Sequence, residues 1–192
     1  PNANTQINLL IKSIQNFPER CHVIGVYSLG KAQRLIKMLR NNGWHNTIYL
    51  HGSLVKICNL YEKFGIDLGD LEPATIQDKP EKPHDFYKGK LILAPPSALA
   101  DRWSRRFPDP ILGMASGWMT VKQRAKQRGI NLPLILSDHA DWNEILTTIK
   151  EVSPKEVWIT HGAEEALIYE CSKNNLTAKA LSIIGYESDT DL

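Results

Sequence analysis

Two histidines stand where apolar runs of this sequence stop. His139 lies in Ser137-Asp138-His139-Ala140-Asp141, directly after Leu134-Ile135-Leu136, and His161 follows Glu156–Thr160 and precedes Gly162. A carboxylate near a histidine fixes its tautomer and raises its basicity, as in metal sites and acid–base dyads. Asp138 and Asp141 place carboxylates on both sides of His139, while Gly162 permits a tight turn after His161. Two histidines and two aspartates make part of a hydrolytic metal site. They do not complete one, because such a zinc site takes three protein ligands and keeps an open position. The competing reading of Ser137–Asp141 is a helix cap carrying a hydrogen-bonded histidine. Asp141 followed three residues later by Glu144 has the form of a capping box.

The elements that must position these residues are legible around them. Leu134–Leu136 is long enough for a buried strand. Trp142, Ile145, Leu146 and Ile149 recur at helical spacing, and Ser153-Pro154 ends that helix. Glu156–Thr160 is a second strand. A strand–helix–strand unit of this length is normally a right-handed parallel crossover. Both histidines are therefore expected at the carboxyl edge of one sheet, where open α/β sheets bind ligands.

Upstream, strands and helices alternate. Ile7, Leu10, Ile11 and Ile14 make one face of a first helix, ended by Pro18, and His22–Tyr27 reads as a buried strand. Ser28-Leu29-Gly30 opens a helix with Ala32, Leu35, Ile36 and Leu39 inward and Lys31, Arg34, Lys37 and Arg40 on another face. Those four cations read either as a solvated surface or as a phosphate-tracking stripe aided by the helix N-terminus. Thr47–Leu50 is a third strand ending in His51-Gly52, and Ser53 starts the next helix. Gly69–Pro83, rich in proline, reads as a surface loop. Lys90–Ala94 and Ile111–Ser116 are further strands; a short helix from Ser97 ends in Arg102-Trp103-Ser104-Arg105-Arg106. Thr120–Arg128 carries Lys122, Arg124, Lys126 and Arg128. Arginines beside an aromatic suit a nucleic-acid surface, although they also occur on plain surfaces. Ala163–Lys173 reads as a helix, Lys179–Ile184 as a last strand and Glu187–Leu192 as a frayed end. The alternation implies an α/β protein with a mainly parallel sheet.

Composition narrows the function classes. A net charge of +2 from 23 Lys and Arg against 21 Asp and Glu gives no overall basic balance, so any polyanion footprint is local. Three separated cysteines (Cys21, Cys58 and Cys171) form no C-x-x-C pair, which speaks against thiolate zinc sites and a disulfide framework, and a reducing cytoplasm fits best. No apolar run approaches the ~20 residues of a membrane helix, and no signal peptide is apparent. The chain begins with proline and reads as a piece of a longer polypeptide. No nucleophile elbow, Walker loop or G-x-G-x-x-G occurs. Of the other histidines, His22 reads as structural, His45 and His84 as loop residues, and His51 as structural in preference to site-lining.

Taken together, Ser137-Asp138-His139-Ala140-Asp141-Trp142 and Ile159-Thr160-His161-Gly162 resemble the closing motifs of the metallo-β-lactamase nucleases that carry a β-CASP domain: S-x-H-x-D, then a strand ending in H-G. Tyr27–Arg34 is similar to the segment that opens the β-CASP domain, Tyr49-Leu50-His51-Gly52 to a V-H-G segment, and Leu93-Ala94-Pro95-Pro96 to an A-P-P-S strand end. The motifs keep their order over nearly the whole chain. Within the family the resemblance is to bacterial ligase-associated DNA exonucleases, also described as mRNA 3′-end processing factors. Asp138 stands where eukaryotic RNA-cleaving relatives carry alanine, which favours the bacterial subgroup.

The resemblance implies a β-CASP domain over residues 1–133, a mainly parallel sheet flanked by helices. Residues 134–192 would be the C-terminal strands and helices of a metallo-β-lactamase αββα domain. The family's main metal motif, H-x-H-x-D-H, is not in this chain, so the N-terminal half of that domain is expected to be missing. By resemblance His161 is a zinc ligand, His139 contacts the scissile phosphate and protonates the leaving oxygen, and Asp141 orients His139. Two zinc ions would serve the complete protein, whereas this fragment alone would not be expected to hold them. Lys31, Arg34, Arg102 and Arg105 would lie near the phosphates of a single-stranded nucleic acid. The implied activity is exonucleolytic phosphodiester hydrolysis in DNA repair, with possible association with a DNA ligase, or RNA 3′-end processing. Two further readings stand beside it. One is a non-catalytic nucleic-acid-binding or partner-binding module. The other is an α/β domain that binds a phosphorylated small molecule at Ser28–Lys31.

Overall fold

The computed structural model of the chain describes residues 2–75, 83–107, 109–160, 162 and 164–181, with only the backbone of 83 and 84. The chain divides into two units, one through Asp138 and one from His139 onward.

The first unit is built on a six-stranded parallel sheet. Its strands are β1 (His22–Gly25), β2 (Ile48–Leu50), β3 (Leu71–Pro73), β4 (Leu91–Ala94), β5 (Ile111–Ala115) and β6 (Leu132–Leu134), in the order β3-β2-β4-β1-β5-β6. The register aligns His22 with Leu91 on one side and with Ile111 on the other. β1, β2 and β4 are short and buried at every residue, as parallel strands covered on both sides must be. Ile24, Leu91 and Leu93 face one cluster, and Val23, Ile92 and Ala94 face the other.

Three helices cover the first face: α1 (Ala3–Asn16), α2 (Lys31–Asn41) and α3 (Gly52–Lys63). They insert Ile7 and Leu10, Leu35, Ile36 and Leu39, and Leu54, all essentially inaccessible. The second face is covered by the short α4 (Pro83–Phe86), by 3-10 turns at Pro96–Leu99 and Ser104–Arg106, and by a run of aromatic rings. Tyr49, Phe86, Tyr87, Phe107 and Trp103 meet edge to face at centroid distances of 4.9–5.7 Å. Edge-to-face pairs hold an irregular segment in place where no regular helix does. α5 (Lys122–Gln127) follows β5, after a 3-10 turn at Gly117–Thr120.

The second unit contains α6 (Trp142–Val152), β7 (Glu156–Ile159), α7 (Glu164–Lys173) and β8 (Thr177–Ala180). β7 and β8 form a separate two-stranded parallel sheet, with Glu156 opposite Thr177 and Ile159 opposite Ala180. α6 buries none of its residues fully.

Three expectations are corrected here. The strand at Leu134 and the strand at Glu156 do not share a sheet: β6 pairs with β5 and β7 pairs with β8. The parallel crossover is therefore β7–α7–β8, not the strand–helix–strand unit through α6. Local periodicity found the strand at Glu156 and set the other two residues late, at Leu134–Leu136 against the observed Leu132–Leu134, and it carries no information about which distant strand completes the ladder. Gly69–Pro83 is not wholly a loop either. β3 pairs in parallel with β2 as the edge strand, and Pro73 sits at its end, where a missing N–H is tolerated. The expected strand at Lys179–Ile184 is observed as Thr177–Ala180. Residues 182–184 and the end read as frayed, Glu187–Leu192, lie outside the described residues. No described helix is long and apolar enough to cross a membrane.

Candidate functional site

The carboxyl edge of the six-stranded sheet gathers the loops after β1, β5 and β6, which are neighbours in the strand order. The loop after β1 is set by a single side chain. Gly30 takes φ +79°, which favours glycine, and its N–H donates to Gln33 Oε1 at 2.8 Å. The Gln33 amide donates in turn to the Ser28 carbonyl at 3.0 Å and to Cys58 Sγ at 3.3 Å. Gln33 is buried, so Ser28–Gly30 is tied to α3 as well as to α2.

The next two cations of α2 reach the loop after β6. Lys31 Nζ donates to the Leu136 carbonyl at 3.3 Å and stands 3.4 Å from Asp138 Oδ2. Arg34 Nη1 donates to the Ser137 carbonyl at 2.6 Å and to Asp138 Oδ1 at 3.0 Å. The Lys31 side chain is almost buried, at 7 % exposure, whereas that of Arg34 remains 48 % exposed. Further along, Lys37 donates to the Asp67 carbonyl, and Arg40 donates to the carbonyls of Trp44, Asn46, Leu68 and Asp70. The four cations of α2 are thus neither a plain solvated face nor a free stripe, because each grips a neighbouring loop.

Arg102 and Arg105 are exposed beside Trp103. Arg106 stacks on that ring at 5.2 Å, and the ring edge meets His51 at 4.7 Å. His51 caps α3, its Nδ1 accepting from the Ser53 N–H at 3.1 Å. Burial and the Arg106 charge push its pKa below the ordinary histidine value, against a smaller opposite pull from Asp101.

In the second unit, Asp141 is the N-cap of α6. Its carboxylate accepts from the Glu144 N–H at 2.9 Å, and the Glu144 carboxylate accepts from the Asp141 N–H at 2.8 Å. The capping box is real, and it commits one oxygen of Asp141. His139 is an exposed residue just before this cap. His161 lies outside the described residues, one position before Gly162 with φ +88°. Among the described residues no three His, Cys, Asp or Glu side chains converge, so these residues by themselves do not make a zinc centre.

Sequence reasoning missed one pair. Trp118, in the loop after β5, is 59 % exposed and carries the Arg124 guanidinium 3.9 Å from its ring centre. The only signal was a tryptophan placed directly after a strand-stopping Ser116-Gly117 and before a basic stretch.

The first unit is thus a parallel α/β sheet with an elaborated carboxyl edge, and the second opens on a capped aspartate. The model of the Zn-dependent metallo-hydrolase RNA specificity domain matches residues 133–173. A probable DNA ligase of Opitutus terrae is 27 % identical over 158 residues, covering 81 % of this chain. The chain spans only 14 % of that protein's length. A crystal structure of a protein of unknown function from Enterococcus faecalis V583 shares the fold. It has a TM-score of 0.53 and 14 % identity, over 95 % of this chain and 44 % of the other. The matched segment and the ligase relative support a likeness of this chain to the metallo-β-lactamase/β-CASP family.

Proposed function

We propose that this chain is the β-CASP and C-terminal portion of a zinc-dependent exonuclease that hydrolyses phosphodiester bonds at a single-stranded nucleic-acid end. The observation that carries the reading is the ordered pair of motifs, Ser137–Asp141 and Thr160–Gly162, inside a segment matching a zinc-dependent metallo-hydrolase domain. In this reading the first unit is the β-CASP cap and the second is the return into the metallo-β-lactamase domain. The exposed Trp158 and Tyr169, with the half-buried Ile145, Leu146 and Ile149 of α6, fit a unit whose apolar side a larger domain covers.

His161 is assigned as a zinc ligand, His139 as the group that meets the scissile phosphate and protonates the leaving oxygen, and Asp141 as the carboxylate that orients His139. The similarity to a probable DNA ligase supports DNA as substrate and association with a ligase, and the RNA specificity match supports RNA. DNA repair is the reading the Asp138 signature favours.

In the complete protein, His139→Ala and His161→Ala are expected to abolish cleavage of single-stranded DNA, and zinc removal to do the same. Full activity in either variant overturns the assignment. The alternative, a non-catalytic binding module, predicts strand binding with no cleavage by the complete, zinc-loaded protein.

A further inference from the structure

Two exposed aromatic rings stand at the carboxyl ends of adjacent strands, each with a cation beside it. Tyr27, after β1, is 53 % exposed and has Lys31 Nζ 5.3 Å from its ring centre; Trp118, after β5, is 59 % exposed and has Arg124 at 3.9 Å. β1 and β5 are hydrogen-bonded neighbours, and neighbouring strands run about 4.8 Å apart. Trp118 is held by its surroundings. Its N–H donates to the buried Ser116 Oγ, its carbonyl accepts from Val121, and the next residue, Met119, anchors the turn in the core. Arg124 lies over the indole, and the residue stays 59 % exposed.

The stretch of sequence that carries this ring holds charge of one sign. Between Asp109 and Asp138 the sequence contains no Asp or Glu, while Lys122, Arg124, Lys126 and Arg128 all fall there. An aromatic ring backed by a guanidinium, in a locally cationic stretch, suits a ligand that is flat, π-rich and attached to an anionic backbone. A fully apolar protein partner would gain nothing from the cations.

We infer that Trp118 and Tyr27 form a stacking platform for unpaired nucleobases, with Arg124 and Lys122 contacting the flanking phosphates. This rests on the reading of the first unit as the cap that holds a single strand. It adds base stacking, indifferent to sequence, as the means by which that cap distinguishes an unpaired end from a duplex, whose bases are already stacked on each other.

The test compares oligo-dT with an abasic strand of equal length, which keeps the phosphates and lacks the bases, by fluorescence anisotropy on the 192-residue chain. The wild type is expected to hold oligo-dT about tenfold or more tightly than the abasic strand. Trp118→Ala should remove most of that preference and leave the abasic strand unaffected. Tyr27→Ala should remove part of it, and Trp118→Phe should keep part of it. Arg124→Gln should weaken both strands. Equal wild-type affinity for the two strands overturns the platform while leaving the single-strand reading intact, and needs no variant to fold. Unchanged oligo-dT affinity in Trp118→Ala and Tyr27→Ala also overturns it. A change of self-association in Trp118→Ala, with strand affinity unchanged, reassigns the ring to a protein contact. Failure of the wild type to bind either strand at low salt overturns the platform and the single-strand reading together.

Discussion

Arg34 and Asp138, 104 residues apart in the chain, meet at 3.0 Å, and the buried Lys31 ammonium completes the cluster at 3.4 Å from the same carboxylate. The first aspartate of Ser137–Asp141 is thereby anchored to α2, and the loop after β6 is fixed at the sheet edge. The anchoring has a cost when broken, because Lys31 is 95 % buried as a residue and Asp138 is its charged partner. Asp138→Asn is expected to destabilise the chain by about 1–2 kcal/mol, between the value of an exposed pair and that of a buried one. Arg34→Gln should cost less, since its guanidinium is half exposed. Urea denaturation of the three proteins checks the order, and an Arg34→Gln loss larger than that of Asp138→Asn contradicts it.

Arg40 is a second tether. Its guanidinium fork serves four backbone carbonyls of the segments around β2 and β3, and Gly69, at φ +70°, leaves room for it. A Cβ at Gly69 would stand 2.6 Å from Arg40 Nε. Arg40→Lys keeps the charge but cannot span these acceptors, so it should destabilise by about 2–3 kcal/mol. Wild-type stability in the lysine variant, read from its melting curve, would show that the carbonyls find water instead.

His22 gives the chain a pH dependence of known sign. The ring is fully buried on β1, with Nε2 2.8 Å from Ser13 Oγ. Burial, helped by the Arg20 charge, lowers its pKa from 6.5 to about 4. Above pH 6.5 both folded and unfolded chains carry the neutral ring, so its stability contribution is fully present. As pH falls from 6.5 toward about 4 the unfolded chain takes up a proton that the fold refuses. Up to about 3 kcal/mol is lost across that window. Subtracting the pH profile of His22→Gln from that of the wild type isolates this contribution, which should slope upward with pH. A flat difference would remove the assignment.

Asp141 has a structural duty that is separable from its proposed catalytic one. Asparagine caps helices about as well as aspartate, whereas alanine costs about 1 kcal/mol. Asp141→Asn should therefore keep the melting temperature, and Asp141→Ala should lower it. In the complete protein, an Asp141→Asn variant that folds normally and has lost cleavage would assign the carboxylate to chemistry. One that cleaves normally would leave it as a cap only.

Much of this molecule was determined locally. The apolar runs at Val23, Ile92 and Leu112 had to be buried strands, α2 and α3 had to bury one face, and Asp141 with Glu144 had to cap α6, because periodicity and capping act within a few residues. His22 and His51 were legible as structural histidines for the same reason, each lying at the boundary of a strand or helix. The assignment of strands to sheets was not. β6 and β7 each read only as a short strand in the sequence, and the ladder hydrogen bonds to β5 and β8 assign them to separate sheets. The partners of Lys31 and Arg34 were equally hidden, since a cation on a helix face does not announce a carboxylate more than a hundred residues away. Trp118 beside Arg124 belongs to the same class. Their six-residue spacing is no regular helical contact, and the rings and charges meet because the turn after β5 folds α5 back upon it. Tertiary structure decided whatever depended on bringing separate segments together, and that includes the edge where the proposed strand would lie.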